Sequence, residues 1–211
     1  MSVVKSRFSL RSNLHEFPKD GFGSVASLIN PPETRARDTL IIACSELGAA
    51  LDCLSFGDAS RFLVLQHLAA SMPSRRDIEN DSRLSLEGVS RLFDNHQFSN
   101  LIVCGHLACQ VIPHWLQPTD VSDDDAYGLR KRFENGTLRL VDNHYAPKTA
   151  REHLELLIFE HVLCQIENLL TYPFISERVH SRKTSLFGWV VDNASARVYG
   201  YRAEESAFLL I

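Results

Sequence analysis

The chain has 211 residues, 45% of them hydrophobic and 23% charged, which is the composition of a globular protein with room for one sizeable core. Its 22 Lys and Arg against 26 Asp and Glu give a formal net charge of −4, so no global basic field is available to hold a nucleic acid. No apolar run approaches the roughly 20 residues that a membrane span needs, and no membrane partner is expected.

Residues 1–37 are polar and interrupted by Pro18, Gly21, Gly23, Pro31 and Pro32, which suits an N-terminal arm with one short helix. Met1–Ser12 carries basic residues without an apolar stretch after them, so a secretory leader is not expected and a cytoplasmic location follows by default. Residues 38–211 are expected to form a single α/β domain. Thr39–Cys44 is an unbroken apolar run of strand length, the pattern of a strand buried on both faces. A second run, Phe62–Leu65, follows the turn-like Gly57-Asp58, and a helical pattern over Ser82–His96 leads to a third run, Leu101–Cys104, which ends in Gly105-His106. Strand, helix, strand in that order predicts a parallel sheet flanked by helices with right-handed crossovers. Gln117–Gly128, with Asp120, Asp123, Asp124 and Asp125, reads as a solvated acidic loop without the ligand spacing of an EF-hand. Lys148–Tyr172 is the longest helical pattern and is closed by Pro173. Ser185–Asp192 and Arg197–Tyr201 read as a hairpin around Asn193-Ala194.

The five cysteines, Cys44, Cys53, Cys104, Cys109 and Cys164, are odd in number and scattered, which reads as reduced thiols. Cys53, Cys104 and Cys164 lie in apolar surroundings and read as buried thiols. Cys44 closes the first apolar run, and His106-Leu107-Ala108-Cys109 closes the third, so all three side chains belong to strand ends, where chemistry collects in parallel sheets. Two thiols and an imidazole form a ligand set suited to zinc, with one tetrahedral position left open. His-x-x-Cys alone is weak evidence, since a core histidine and a buried cysteine explain it in most chains; the third thiol at an equivalent strand end favours the metal.

These segments resemble the β-class carbonic anhydrases, which hydrate carbon dioxide reversibly to bicarbonate on a zinc held by two cysteines and a histidine. Ile42-Ala43-Cys44-Ser45-Glu46 is similar to the family's Cys-x-Asp-x-Arg strand end, and Gly105-His106-Leu107-Ala108-Cys109 to its Gly-His-x-x-Cys-Gly turn. Similarity continues through Phe62–Ala70, Gln165–Leu169 and Gly188–Asp192. The resemblance implies a zinc ion on Cys44, His106 and Cys109, carbon dioxide and bicarbonate or a related small molecule as reactants, attack by a zinc-bound hydroxide, and a homodimer or dimer-based oligomer with sites at the subunit interface.

The departures fall on the polar groups around the metal. The family's Asp and Arg are Glu46 and Gly48 here, so the dyad is broken and Glu46 is the altered catalytic carboxylate. Glu46 could close the site as a fourth ligand or orient the metal-bound water from outside. The Arg-Asn-Ala-Gly-Asn segment becomes Gln66-His67-Leu68-Ala69-Ala70, the substrate-contacting glutamine becomes Arg35, and the glycine after the second zinc cysteine becomes Gln110. Arg35, Arg37 and Arg61 are the arginines close enough in sequence to stand in for the missing one, and His67 is a candidate pocket histidine. Two functions are therefore expected from the resemblance: an altered or slowed hydratase, or an inactive homologue acting as a structural, regulatory or assembly subunit.

Overall fold

The computed structural model describes residues 8–11, 13–29, 36–48, 59–81, 84, 87–117 and 124–211, with the side chains of 8–9 and 124–127 left out. Cys53, Arg35, Gly57-Asp58, Asp120 and Asp123 lie outside these residues, as do the side chains of Asp124 and Asp125.

Among the described residues, seven strands form one sheet: β1 (Phe8–Ser9), β2 (Thr39–Cys44), β3 (Phe62–His67), β4 (Asn100–His106), β5 (Ser185–Asp192), β6 (Arg197–Arg202) and β7 (Ala207–Leu210), in the order β1-β7-β6-β5-β4-β2-β3. The apolar runs at 39–44 and 101–104 are the buried centre: every residue of β2 and β4 is buried, as strands covered on both faces must be. β3, β2, β4 and β5 run parallel, whereas β6, β7 and β1 are antiparallel. The sheet is thus mixed rather than wholly parallel. The expected hairpin exists, yet its first strand is also the fourth parallel strand, and Ala207–Leu210, which carries no strong strand signal in sequence, adds a further strand between β6 and β1.

The helices are α1 (Val25–Ile29), α2 (Arg75–Asn80), α3 (Glu87–Asn95), α4 (Val111–Trp115), α5 (Asp124–Phe133), α6 (Arg139–His144), α7 (Ala150–Leu170) and α8 (Pro173–His180). The acidic segment expected as a loop is helical from Asp124, and a single π turn, Glu134–Leu138, joins α5 to α6. α7 starts at the Thr149 cap, whose hydroxyl accepts from the Glu152 N–H, and ends before Pro173, within two residues of the apolar pattern that predicts it. It buries Leu157, Ile158, Val162 and Ile166 against the sheet. Close approach is possible because Gly105 and Gly188 lie beneath it: a Cβ on Gly105 would meet Val162 Cγ2 at 2.9 Å, and one on Gly188 would meet Ile166 Cδ1 at 3.2 Å.

At the other end of β2, Arg61 is 4% exposed and grips Asp38 with Nε and Nη2 at 3.1–3.3 Å, while its Nη1 donates to the Leu28 carbonyl at 3.0 Å. Arg37 precedes the same strand. Both arginines therefore sit at the N-terminal ends of the strands, a strand length from Cys44, and neither can take the place of the missing arginine.

Candidate metal centre

Parallel register sets the site. Ala43 lies opposite Cys104, so Cys44 ends β2 beside Gly105, one residue before His106 ends β4. A tight turn then returns Cys109, whose N–H reaches the His106 carbonyl at 3.4 Å, and Gln110 caps α4. Beyond Cys44, residues 45–48 form a 3-10 turn that carries Glu46 back over the strand end. One ligand atom from each of Cys44, Glu46, His106 and Cys109 falls within 4.8 Å of the other three. Sequence spacing alone brings together His106 and Cys109; the sheet adds Cys44, and the turn adds Glu46.

Cys44, His106 and Cys109 are almost wholly buried, at 1%, 2% and 3% exposure. The Glu46 side chain is 31% exposed. Its Oε2 accepts from the Gln110 backbone N–H at 2.8 Å and lies 3.5 Å from His106 Nε2 and 4.0 Å from Cys44 Sγ. Neither ring nitrogen of His106 has a hydrogen-bond partner among the described residues. A buried imidazole without a partner is costly, and two thiols and a carboxylate within reach of it make a donor set that fits a metal ion. The Cys44 thiol is held well below its usual range because Cys109 donates to it, with His106 adding to the effect against the opposing pull of burial; Cys109 is correspondingly raised. One member of the pair is therefore a thiolate, the form that binds metal. Burial, with the neighbouring Cys44 charge adding to it, pushes Cys104 up, so it remains an inert thiol.

Cys44, His106 and Cys109 face a pocket of about 10 Å³, room for one water-sized molecule, walled by Ala69, Ile112, Ile158, Val162 and His161. His161 carries no sequence signal of this role. It sits inside the apolar stripe of α7 and is 3% exposed, and burial lowers its pKa to about 4, so it is neutral. Its Nδ1 meets Thr137 Oγ1 at 2.9 Å and its Nε2 meets Ser71 Oγ at 3.2 Å. The same helix face holds the segment after β3: Gln165 Oε1 accepts from the Met72 N–H at 2.7 Å and Asn168 Nδ2 donates to the Met72 carbonyl at 2.9 Å. Those bonds fix Ala69 and Ala70 in left-handed conformation, at φ of 53° and 58°. His67, in register beside Cys44, is exposed and does not line the pocket.

Fold and site together define an α/β protein with a group of candidate metal donors at the C-terminal ends of two parallel strands. The family model for carbonic anhydrase matches residues 92–198, half of the chain, and the protein belongs to that family. It is 26% identical to a carbonic anhydrase of Synechococcus elongatus over 162 residues, covering 75% of this chain and 58% of the relative. A carbonic anhydrase of Helicobacter pylori J99 is 22% identical over 213 aligned positions, covering 92% of this chain and 89% of the relative. The chain thus spans less than two thirds of its cyanobacterial relatives and nearly all of the Helicobacter protein. Among solved structures, the β-carbonic anhydrase CcaA superposes with a TM-score of 0.71 at 24% identity, covering 82% of this chain and 84% of that one. One of two tetrameric β-carbonic anhydrases of Sordaria macrospora superposes with a TM-score of 0.64 at 18% identity, covering 79% and 81%. The fold is that of the β class. Among the described residues, no helix is long and apolar enough to cross a membrane.

Proposed function

We propose that this protein is a zinc protein of the β-carbonic anhydrase type, with Cys44, His106 and Cys109 as constant ligands and Glu46 as a displaceable fourth, acting on carbon dioxide and bicarbonate. The observation that carries the reading is the position of Glu46 Oε2, 3.5 Å from His106 Nε2. Tetrahedral zinc with nitrogen and oxygen ligands at about 2.0–2.2 Å separates two such atoms by roughly 3.3–3.5 Å, so the carboxylate stands where a co-ligand would. The Gln110 N–H holds that oxygen, a backbone donor doing what an arginine does elsewhere in the family. Zinc in this setting supplies activation of water for attack on a carbonyl-type carbon. The chain's own part is to give up Glu46 from the fourth position, accept a small apolar molecule against Ala69, Ile112, Ile158 and Val162, and keep bulkier ones out of a pocket of about 10 Å³.

The resting position of Glu46 also supports a second reading, a closed site in an inactive homologue that serves as a structural, regulatory or assembly subunit. A dimer-based assembly belongs to both readings: β3 is an edge of the sheet, with Val64 42% and Leu68 41% exposed, and the Sordaria relatives are tetrameric. A cytoplasmic site of action accords with the free cysteines.

Stopped-flow hydration of carbon dioxide by protein carrying one zinc per chain, with Cys44→Ser as the blank, separates the two. A rate well above the blank, raised further by Glu46→Gln, supports the displaceable ligand; a rate equal to the blank in both rejects hydratase activity in favour of the subunit.

A further inference from the structure

Away from the candidate metal site, residues 8–11 and 13–22 are strapped to the body of the protein by one part-buried polar cluster. His15, with a side chain 4% exposed, lies between two carboxylates of α7: Nε2 is hydrogen-bonded to Glu160 Oε2 at 2.6 Å, and Nδ1 lies 3.0 Å from Glu167 Oε2 as an ion-pair contact outside hydrogen-bond geometry. Glu160 is fully buried and takes a second hydrogen bond from the Tyr145 hydroxyl. That hydroxyl in turn accepts from the Arg11 N–H at 2.9 Å, and Glu167 Oε1 accepts from the Glu16 N–H at 3.2 Å. The His15 ring stacks on Phe17 at 5.1 Å, and Phe17 packs edge-on against Phe22 and Tyr201. β1 pairs with β7 at the start of the same strap.

We propose that His15 is a protonation-operated latch: as an imidazolium clasped by Glu160 and Glu167 it pins the arm to α7, and on losing its proton it lets the arm go. The charge arithmetic requires this direction. The fully buried Glu160 carboxylate needs a cation beside it, Glu167, 34% exposed, adds a second negative charge, and a neutral imidazole can donate to one of the two but must present a lone pair to the other. Burial pulls the His15 pKa down, but the hydrogen bonds and charges of the two glutamates outweigh it and raise it to about 9. The group is raised above its unfolded value, so its contribution to holding the arm is complete below about pH 6.5 and is lost as the pH passes through 9. The other titratable groups facing the cluster do not compete in that window. Burial pushes Tyr145 and Tyr201 up, and Cys164 to about 12, so all three remain neutral there. Arg11 lies with its guanidinium 6.0 Å over the Tyr145 ring. The latch bears on the metal pocket through sequence adjacency, since Glu160 is flanked in α7 by Ile158, His161 and Val162 of the pocket wall.

Limited trypsin digestion at Arg11 and Lys19, which bracket His15, tests the proposal on the intact chain. Rates are referred at each pH to a free peptide of residues 8–22, with tryptophan fluorescence checking that the body stays folded. Cleavage relative to the peptide should be low at pH 7 and should rise on the order of a hundredfold by pH 10. His15→Gln should be cut at pH 7 as fast as the native protein is at pH 10. A ratio that stays flat from pH 7 to 10, or a His15→Gln arm as protected as the native one, overturns the proposal. So does an imidazole NMR titration of native His15 with a midpoint below 7, which needs no variant.

Discussion

Arg61 is the arginine that sequence proximity offers to the metal site and that the fold spends elsewhere, and its removal gives the sharpest test of that assignment. It is 4% exposed, and its partner Asp38 is equally buried; three N···O contacts of 3.1–3.3 Å join them, and the Thr39 hydroxyl completes the carboxylate at 2.7 Å. Arg61→Met keeps the apolar volume but strands a buried carboxylate and frees the Leu28 carbonyl, a loss of about 3–5 kcal/mol. With a urea m-value near 2 kcal/mol/M, the unfolding midpoint should drop by about 2 M at constant m. Pairing it with Asp38→Asn should restore much of the loss, giving a coupling energy of at least about 2 kcal/mol. The assay is urea unfolding at one fixed protein concentration, because an oligomer makes the midpoint concentration-dependent. Zinc content should not change, since Asp38 lies roughly 20 Å along β2 from Cys44. A midpoint shift below about 0.5 M, or loss of zinc without loss of stability, would refute the argument and return Arg61 to the site.

The Gln110 tether is a main-chain donor, so Gln110→Pro should weaken zinc binding about 10–100-fold in a chelator competition while Gln110→Ala, which keeps the N–H, leaves it unchanged; equal affinities for the two would remove the tether. At the strained wall of the pocket, Ala69→Gly or Ala70→Gly relieves about 1–2 kcal/mol of left-handed strain but loses about 0.8 kcal/mol of methyl burial and about 0.4–1 kcal/mol of chain entropy. Each should therefore change stability by less than about 1 kcal/mol, whereas Ala70→Val, branched at Cβ and fully buried, should cost more than about 3 kcal/mol. A thermal melt showing the glycine variants to be the more damaging would contradict the strain reading.

Much of this protein is legible in local pattern. Thr39–Cys44 is a strand because the five consecutive apolar residues after Thr39 can be satisfied only by burial on both faces, and its bounds follow from the polar residues at either end. α7 is legible because its 21 residues keep one apolar stripe that a proline stop closes. Cys44, His106 and Cys109 could be read as one set because strand ends in a parallel sheet converge and because the segments around them resemble a known family. Other features rest on distances between chain-remote groups, to which a linear pattern is blind. The antiparallel extension through β6, β7 and β1 depends on which edge each strand finds. Arg61 looks as near to the metal as to anything else until the parallel register sends it to the far end of the strand. His161 is one more residue in a helical stripe until the sheet sets that face against the pocket. Glu46 is tethered by a backbone N–H, a group every residue except proline possesses and which no side-chain motif can record. The sequence alone determined which residue types could hold a metal and which strands would carry them; tertiary structure decided which groups stand around it, because hydrogen bonds and burial are set by where the chain returns.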